Sequence, residues 1–329
     1  MSKPLNTRIT EFFDIRLPIV AGCMQHLSTA GYVSAAAHAG VMSYLAAASF
    51  PELVELRAEI RRCRDLCDGR SFGVNVSMLP KLIEGEKTAQ IFDLLIEEGV
   101  RFVETSGRSP EPYLPRLQAA GVKVMHKVPA VKYARKAQAM GVDAVAVVGA
   151  ECGGHPGMDL VGTIVQAAVA ARDISIPLVV GGGIGTGTQL VAALALGADG
   201  VIVGTRFLVA EEIWAHNNYK QRLVEADETQ TTLLLQSVRN TLRALRNETA
   251  ERVQEIERAH GGNLEHLMPH ISGKIGRKAY ETGDTTLGAL AVGQAVAFAD
   301  RIEPLSEIVR RMESEAALAL ERLSRLGGE

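Results

Sequence analysis

What most constrains this chain is a rhythm in its first two thirds. Eight short apolar runs lie at 17–22, 42–48, 72–76, 102–106, 123–128, 144–149, 177–182 and 200–205. They are rich in Val, Ile and Ala and lack strict alternation, the pattern of strands buried on both faces. Seven stretches of helical period lie between them, at 29–39, 51–67, 89–98, 112–120, 131–140, 161–171 and 188–196. Most close on a glycine, at Gly40, Gly99, Gly121, Gly141 and Gly197, a residue that ends a helix cheaply in the left-handed conformation.

A strand, loop, helix and glycine repeated in this way predict the α/β class, with parallel strands closed into a (β/α)8 TIM barrel. The alternative is an open doubly wound sheet, whose nucleotide loop follows its first strand with G-x-G-x-x-G spacing. Here the first strand runs into Ala21-Gly22-Cys23-Met24-Gln25, and the late glycine run at 181–187 misses that spacing in every register. A chain of 329 residues holds one barrel of roughly 250 residues and an appendage. The rhythm stops after Phe207. Residues 213–283 read as helices with polar connections and no clear strand, and 237–257 as one long helix ended by Gly261-Gly262. The segment 304–326 reads as a last helix packing back on the barrel. The predicted division is a barrel of 1–212 and 284–329, with 213–283 as a helical extension, or lid, over its mouth.

Composition narrows the partners. A net charge of −3 leaves no footprint for nucleic acid. The basic stretch 239–246 reads as a solvated or partly packed helix face. The four cysteines are Cys23, Cys63, Cys67 and Cys152. None has zinc spacing, so no metal site is expected and a reduced, cytoplasmic protein is. The opening MSKPLNTRITEFF is polar and mixed, and no apolar run reaches membrane length, so no membrane insertion is expected.

A barrel of this kind builds its active site from the loops at the carboxyl ends of its strands. Those loops hold residues 22–25, 75–80, 107–109, 149–157, 181–187 and 204–206, with Lys127 ending the fifth strand. The last two loops carry glycine runs. Glycines let backbone N–H groups approach phosphate oxygens, and a following helix start favours negative charge. A tight turn explains one such run; two, after strands seven and eight, point to phosphate. Lys127 points a cation into the mouth, unless its stem is buried and its head merely reaches water. Asn75 is either a hydrogen-bonding group at the mouth or a turn-former after its strand. His155, in the loop Glu151-Cys152-Gly153-Gly154-His155-Pro156-Gly157, is either an acid–base or donor group for a substrate or a structural loop histidine. Cys152 has no separate base and reads as a packing thiol.

With these residues in view, the sequence resembles the nitronate monooxygenase superfamily, once called 2-nitropropane dioxygenases, over nearly its whole length. The motifs that carry the resemblance are LPIVAGCMQ (17–25), FGVNVSMLP (72–80), VETSG (103–107), VKVMHKV (122–128), ECGGHPG (151–157), PLVVGGGIGTG (177–187) and GADGVIVGTRF (197–207). Within the superfamily it is most similar to the bacterial NADH:quinone reductases, through ECGGHPG, SVRNTLRALRN (237–247) and SGKIGRKAYETGDTTLG (272–288). The resemblance implies FMN as cofactor, its phosphate held by the last two barrel motifs. Gly22, Met24, Gln25, Asn75, Lys127, Ala150, Gly154, Gly182, Gly183, Gly204 and Thr205 would be its contacts. Lys127 would stabilise the reduced ring, with His155 at the reacting face. NADH or NADPH would be the co-substrate, passing hydride to flavin N5, and a quinone the acceptor. The implied alternatives are a nitronate monooxygenase using O2, an enoyl-thioester reductase, and a flavin-binding protein without turnover. A homodimer is left open. The charged loop 80–90 lacks the proline-rich stretch of the quinone reductases, which leaves the nicotinamide gate unassigned.

Overall fold

A computed structural model of the chain describes residues 5–78 and 86–327; most of the loop 80–90 lies outside them. The elements run α1 (Arg8–Phe13), β1 (Ile19–Ala21), α2 (Ala30–His38), β2 (Met42–Ala46), α3 (Leu53–Cys67), β3 (Gly73–Met78), α4 (Thr88–Glu97), β4 (Phe102–Gly107), α5 (Leu114–Ala119) and β5 (Lys123–Val128). They continue with α6 (Val131–Ala139), β6 (Ala144–Val148), α7 (Thr163–Asp173), β7 (Leu178–Gly181), α8 (Gly187–Ala195) and β8 (Gly200–Val203). The eight strands are parallel, each paired to the next, and β8 closes on β1 through Val20↔Ile202 and Ala21↔Val203. The expected TIM barrel is the fold. All five helix-ending glycines have positive φ.

The barrel is filled from one end. α1 plugs its floor: Phe13 is 0% exposed and packs, with Ile9, among Val20, Met42, Tyr44, Phe102, Met125, Val179 and Ile202. Its ring meets Phe102 edge-on at 5.2 Å and Tyr44 at 6.3 Å. Small residues make room for these rings. Ala144 and Ala146 face the same cluster from β6, and a Cβ on Gly73 would come within 2.5 Å of the Phe102 carbonyl and the Tyr44 ring. Alternate residues of a strand share a face. Two positions beyond Gly73, Phe102 and Met125, the same inner faces therefore present Asn75, Glu104 and Lys127. The sequence places bulk at the floor and polarity at the mouth.

Past β8 lie α9 (Asn217–Val224), β9 (Thr231–Leu234), β10 (Leu242–Leu245), α10 (Glu248–His260), α11 (Leu264–Ile271), α12 (Gly273–Thr282) and α13 (Leu305–Leu326). Two expectations are corrected here. The segment 213–283 contains an antiparallel pair, with Leu242↔Leu234 and Leu245↔Thr231 in register. The stretch 237–257 is not one helix. It holds β10, and α10 starts only where the Asn247 side chain caps the Ala250 amide at 2.8 Å. The basic run is consequently a turn and a strand rather than a helix face. Leu234, Leu242, Ala244, Ala250, Val253, Ile256 and Leu267 close a small core of their own, which a helix through 242–245 would not build. α13 returns to the barrel, burying Leu305, Ile308, Val309, Met312 and Ala316 against α8 and α2.

The floor rings yield a stability prediction. Phe13→Ala removes a fully buried ring from the barrel floor and should cost about 3–5 kcal/mol, measured by urea unfolding of the purified protein. A loss under about 1 kcal/mol would mean that the plug does not hold the barrel.

Candidate active site

The mouth is organised by one buried carboxylate that sequence reading passed over. Glu104 is 1% exposed. Its Oε1 accepts from Lys127 Nζ at 2.7 Å and from Asn75 Nδ2 at 2.6 Å. Asn75 Oδ1 in turn accepts from Ser77 Oγ at 3.0 Å. Burial pushes the Lys127 pKa down, but Glu104 opposite more than offsets it, so the amine stays above its ordinary value. Cys23 and Cys152 are each pushed up to about 12, chiefly by burial. At neutral pH both are thiols, which fits packing and not nucleophilic attack.

The two glycine-rich turns leave amides free. Among the described residues, no acceptor takes the N–H of Gly183, Gly204 or Thr205. Gly204 has room besides: a Cβ there would meet nothing within 4 Å. Gly182 and Gly183 both have positive φ, at 107° and 70°, which a side chain tolerates poorly. Three amides around the start of α8 are already used. Gly185 and Thr186 donate to Gln189 Oε1 at 2.8 and 3.1 Å, and Gly187 donates to Glu315 Oε2 of α13 at 2.7 Å. The free donors come from the turns themselves and from the 3-10 helix Thr205–Val209 that follows β8.

Other predicted contacts have committed backbones. Gly22 donates to the Val203 carbonyl at 2.8 Å. The Met24 amide donates to Ser28 Oγ at 2.8 Å. The side chain of Gln25 is exposed. The Ala150 amide donates to the Val161 carbonyl at 2.9 Å, and Gly154 exchanges both backbone hydrogen bonds with Arg243. Arg243 is the second residue that sequence reading missed. Its Nε donates to the Ala150 carbonyl at 2.9 Å and its Nη1 to Thr231 Oγ1 at 3.0 Å. β10 thereby clamps the loop that carries His155. The far side of that loop is held by Glu151, whose carboxylate accepts from the Thr163 amide and, at 2.8 Å, from Thr163 Oγ1. The Thr205 hydroxyl accepts from the Gly293 amide at 2.9 Å, tying the turn after β8 to the returning chain.

His155 stands at the mouth with its side chain exposed and no hydrogen bond among the described residues. Surrounding protein mass lowers its pKa below the ordinary imidazole value, so the ring is neutral at pH 7 and offers one donor and one acceptor. His26, in the loop after β1, meets the extension: its carbonyl accepts from Trp214 Nε1 at 2.6 Å. A cavity of about 530 Å³ lies elsewhere, lined by Asp14, Arg16, His38, Asp68 and Arg70, and holds none of the predicted site residues.

The match to known proteins decides the family. The nitronate monooxygenase model matches residues 6–315. The chain belongs to the nitronate monooxygenase family. It is therefore an oxidoreductase, and the loops above are this family's barrel mouth. The chain is 33% identical over 258 residues, 78% of its length and 71% of the relative's, to the (3aS,4S,5R,7aS)-5-hydroxy-7a-methyl-1-oxo-octahydro-1H-indene-4-carboxyl-CoA dehydrogenase of Mycobacterium tuberculosis. Among solved structures it resembles FabK from Thermotoga maritima, with a TM-score of 0.89 and 30% identity, covering 98% of this chain and 99% of that one. It also resembles the nitroalkane oxidase of Streptomyces ansochromogenes, with a TM-score of 0.80 and 26% identity over 96% of this chain and 100% of that one. Among the described residues no helix is long and apolar enough to cross a membrane, and no group of three or more metal-ligating side chains gathers.

One titration is set by this layout. His126, on the outer face of β5, shares a 2.8 Å hydrogen bond with Thr105 Oγ1. Burial drops its pKa from the ordinary 6.5 to about 4. Its folded pKa lies below its unfolded one, so its share of stability is complete above pH 6.5 and drains as pH falls toward 4. His126→Gln keeps a polar partner for Thr105 and should flatten the decline of Tm across that window. An unchanged slope would mean that His126 does not carry it.

Proposed function

We propose that this chain is an FMN-dependent oxidoreductase that passes electrons from NADH or NADPH to a small-molecule acceptor, with a quinone as the acceptor class. The observation that carries the cofactor is the set of unclaimed amides at Gly183, Gly204 and Thr205. Donors left free at the mouth of a barrel are costly unless water or an anion meets them, and two glycine turns shaped around them suit a phosphate monoester. These amides, with Gly182, would hold the phosphate. Lys127 and Asn75, with Met24 and Gln25, would meet the polar edge of the ring. When bound, FMN supplies a two-electron redox centre whose reduction places negative charge on that ring.

The chain's own residues do the rest. Lys127 keeps a cation in a half-closed site, where it counts for more than in water. Neutral His155 binds the acceptor or delivers a proton to it. Arg243 and Glu151 hold the His155 loop from two sides. On this reading, 1–212 and 284–329 form the FMN barrel and 213–283 covers its mouth. The quinone reading draws on the contact between two of the motifs shared with the quinone reductases, since Arg243 of SVRNTLRALRN pairs with Gly154 of ECGGHPG. A second reading has its own support: the 33% identical mycobacterial carboxyl-CoA dehydrogenase favours a CoA thioester as substrate.

Anaerobic mixing separates these readings. NADH or NADPH should bleach the yellow protein, and a quinone should restore its colour. Restoration by an enoyl-CoA and not by quinones would transfer the assignment to the thioester reading. Bleaching by propyl nitronate alone would sink both. His155→Ala should slow acceptor turnover tenfold or more, in line with the usual worth of an acid–base group of about 10²–10⁴, and leave FMN bound. Equal loss of both would make His155 structural. Gly204→Val tests the phosphate site, because its backbone has negative φ and the new Cβ meets no protein atom within 4 Å. It should fold and lose FMN; retained colour would refute the assignment.

A further inference from the structure

The buried carboxylate of Glu104 has no part in the reading above. Burying a charge is expensive unless it is paired and hydrogen-bonded, and Glu104 is both. The same oxygen, Oε1, receives Lys127 Nζ at 2.7 Å and Asn75 Nδ2 at 2.6 Å. The Asn75 amide is locked in consequence. Flipping it would set Oδ1 against the carboxylate and give up the 3.0 Å bond that Oδ1 accepts from Ser77 Oγ. Ser77 Oγ lies 3.0 Å from Ser106 Oγ, which extends the chain to the next strand.

We propose that Glu104 is a positioning residue: one carboxylate oxygen keeps Lys127 an ammonium in the barrel mouth and fixes the Asn75 amide with its nitrogen turned toward the acid. The consequence at a bound ring rests on the FMN reading; the coupling among the three side chains does not. Burial alone favours a neutral amine at Lys127, and Glu104 reverses that preference. The pair is also neutral as a whole. Lys127 therefore presents a cation backed by an anion, a local dipole rather than a net charge.

Glu104→Gln keeps the shape and an acceptor oxygen but removes the charge. In flavin-free protein, the Lys127 side-chain titration is followed by NMR, with K127M assigning the signal. Its pKa should fall by at least about one unit, a tenfold change in acid constant. An unchanged titration overturns the proposal. So does wild-type Lys127 titrating below the ordinary lysine value of about 10.4, a measurement that needs no variant. In FMN-loaded protein, the midpoint potential of E104Q should fall relative to wild type as pH rises through the lowered Lys127 pKa, because the ammonium is lost there. In the K127M background that pH-dependent fall should be absent. A fall of the same size in both backgrounds would mean that it does not arise at Lys127, which overturns positioning through Lys127. If E104Q moves the flavin-free titration while neither variant moves the potential, the coupling stands and the placement of the ring beside Lys127 fails instead.

Discussion

A closed parallel barrel must fill its own interior, and here the filling is one-sided. Phe13, Phe102 and Tyr44 occupy the floor, packed against Ala144, Ala146 and the bare backbone of Gly73. Because the strands alternate, the next inward positions on β3, β4 and β5 fall above that plug, where Asn75, Glu104 and Lys127 sit. The polar layer depends on the apolar one below it. Without the rings, water would reach Glu104 from beneath, and its bonds to Lys127 and Asn75 would lose the low-dielectric setting that makes them strong.

Much of this was legible in the sequence because it follows from short-range pattern. Apolar runs without alternation marked the eight strands, and glycines marked the helix ends. The hairpin was not legible. Leu242 and Leu245 stand three apart, as on a helix face, and the flanking arginines suit a solvated helix. What turns these residues into a strand is pairing with β9, with Gly154 and with Ala291, all tertiary partners that a local window does not contain. Arg243 was missed for that reason. Glu104 left a usable signal: a lone acid in an apolar run, in phase with Phe102, is an inward charge and needs a partner in the same layer.

The glycine turns were readable as candidate phosphate loops, and part of the helix start beside them is already capped. A helix start offers free amides only if nothing within the protein caps it. At α8, Gln189 and Glu315 do so. Glu315 lies on α13, so the helix that returns from the far end of the chain takes the Gly187 amide. At the start of α7 the Thr163 amide is likewise taken by Glu151. The amides of Gly183, Gly204 and Thr205, by contrast, have no acceptor among the described residues.

Those same capping groups join the glycine turns to the His155 loop. Glu151 caps α7, and its Cβ lies 3.1 Å from where a Cβ on Gly183 would stand. Its carbonyl accepts from Gln294, next to the Gly293 amide that holds Thr205. Four residues along from Glu151 stands His155, clamped from the other side by Arg243. The glycine turns and the histidine loop are therefore not independent parts. Both lean on one short segment, 150–154, wedged between α7, the hairpin and the returning chain. A substitution that loosened that wedge would disturb the amides of the glycine turns and His155 together. A change confined to the His155 ring leaves the amides in place, which is why the two can be tested apart.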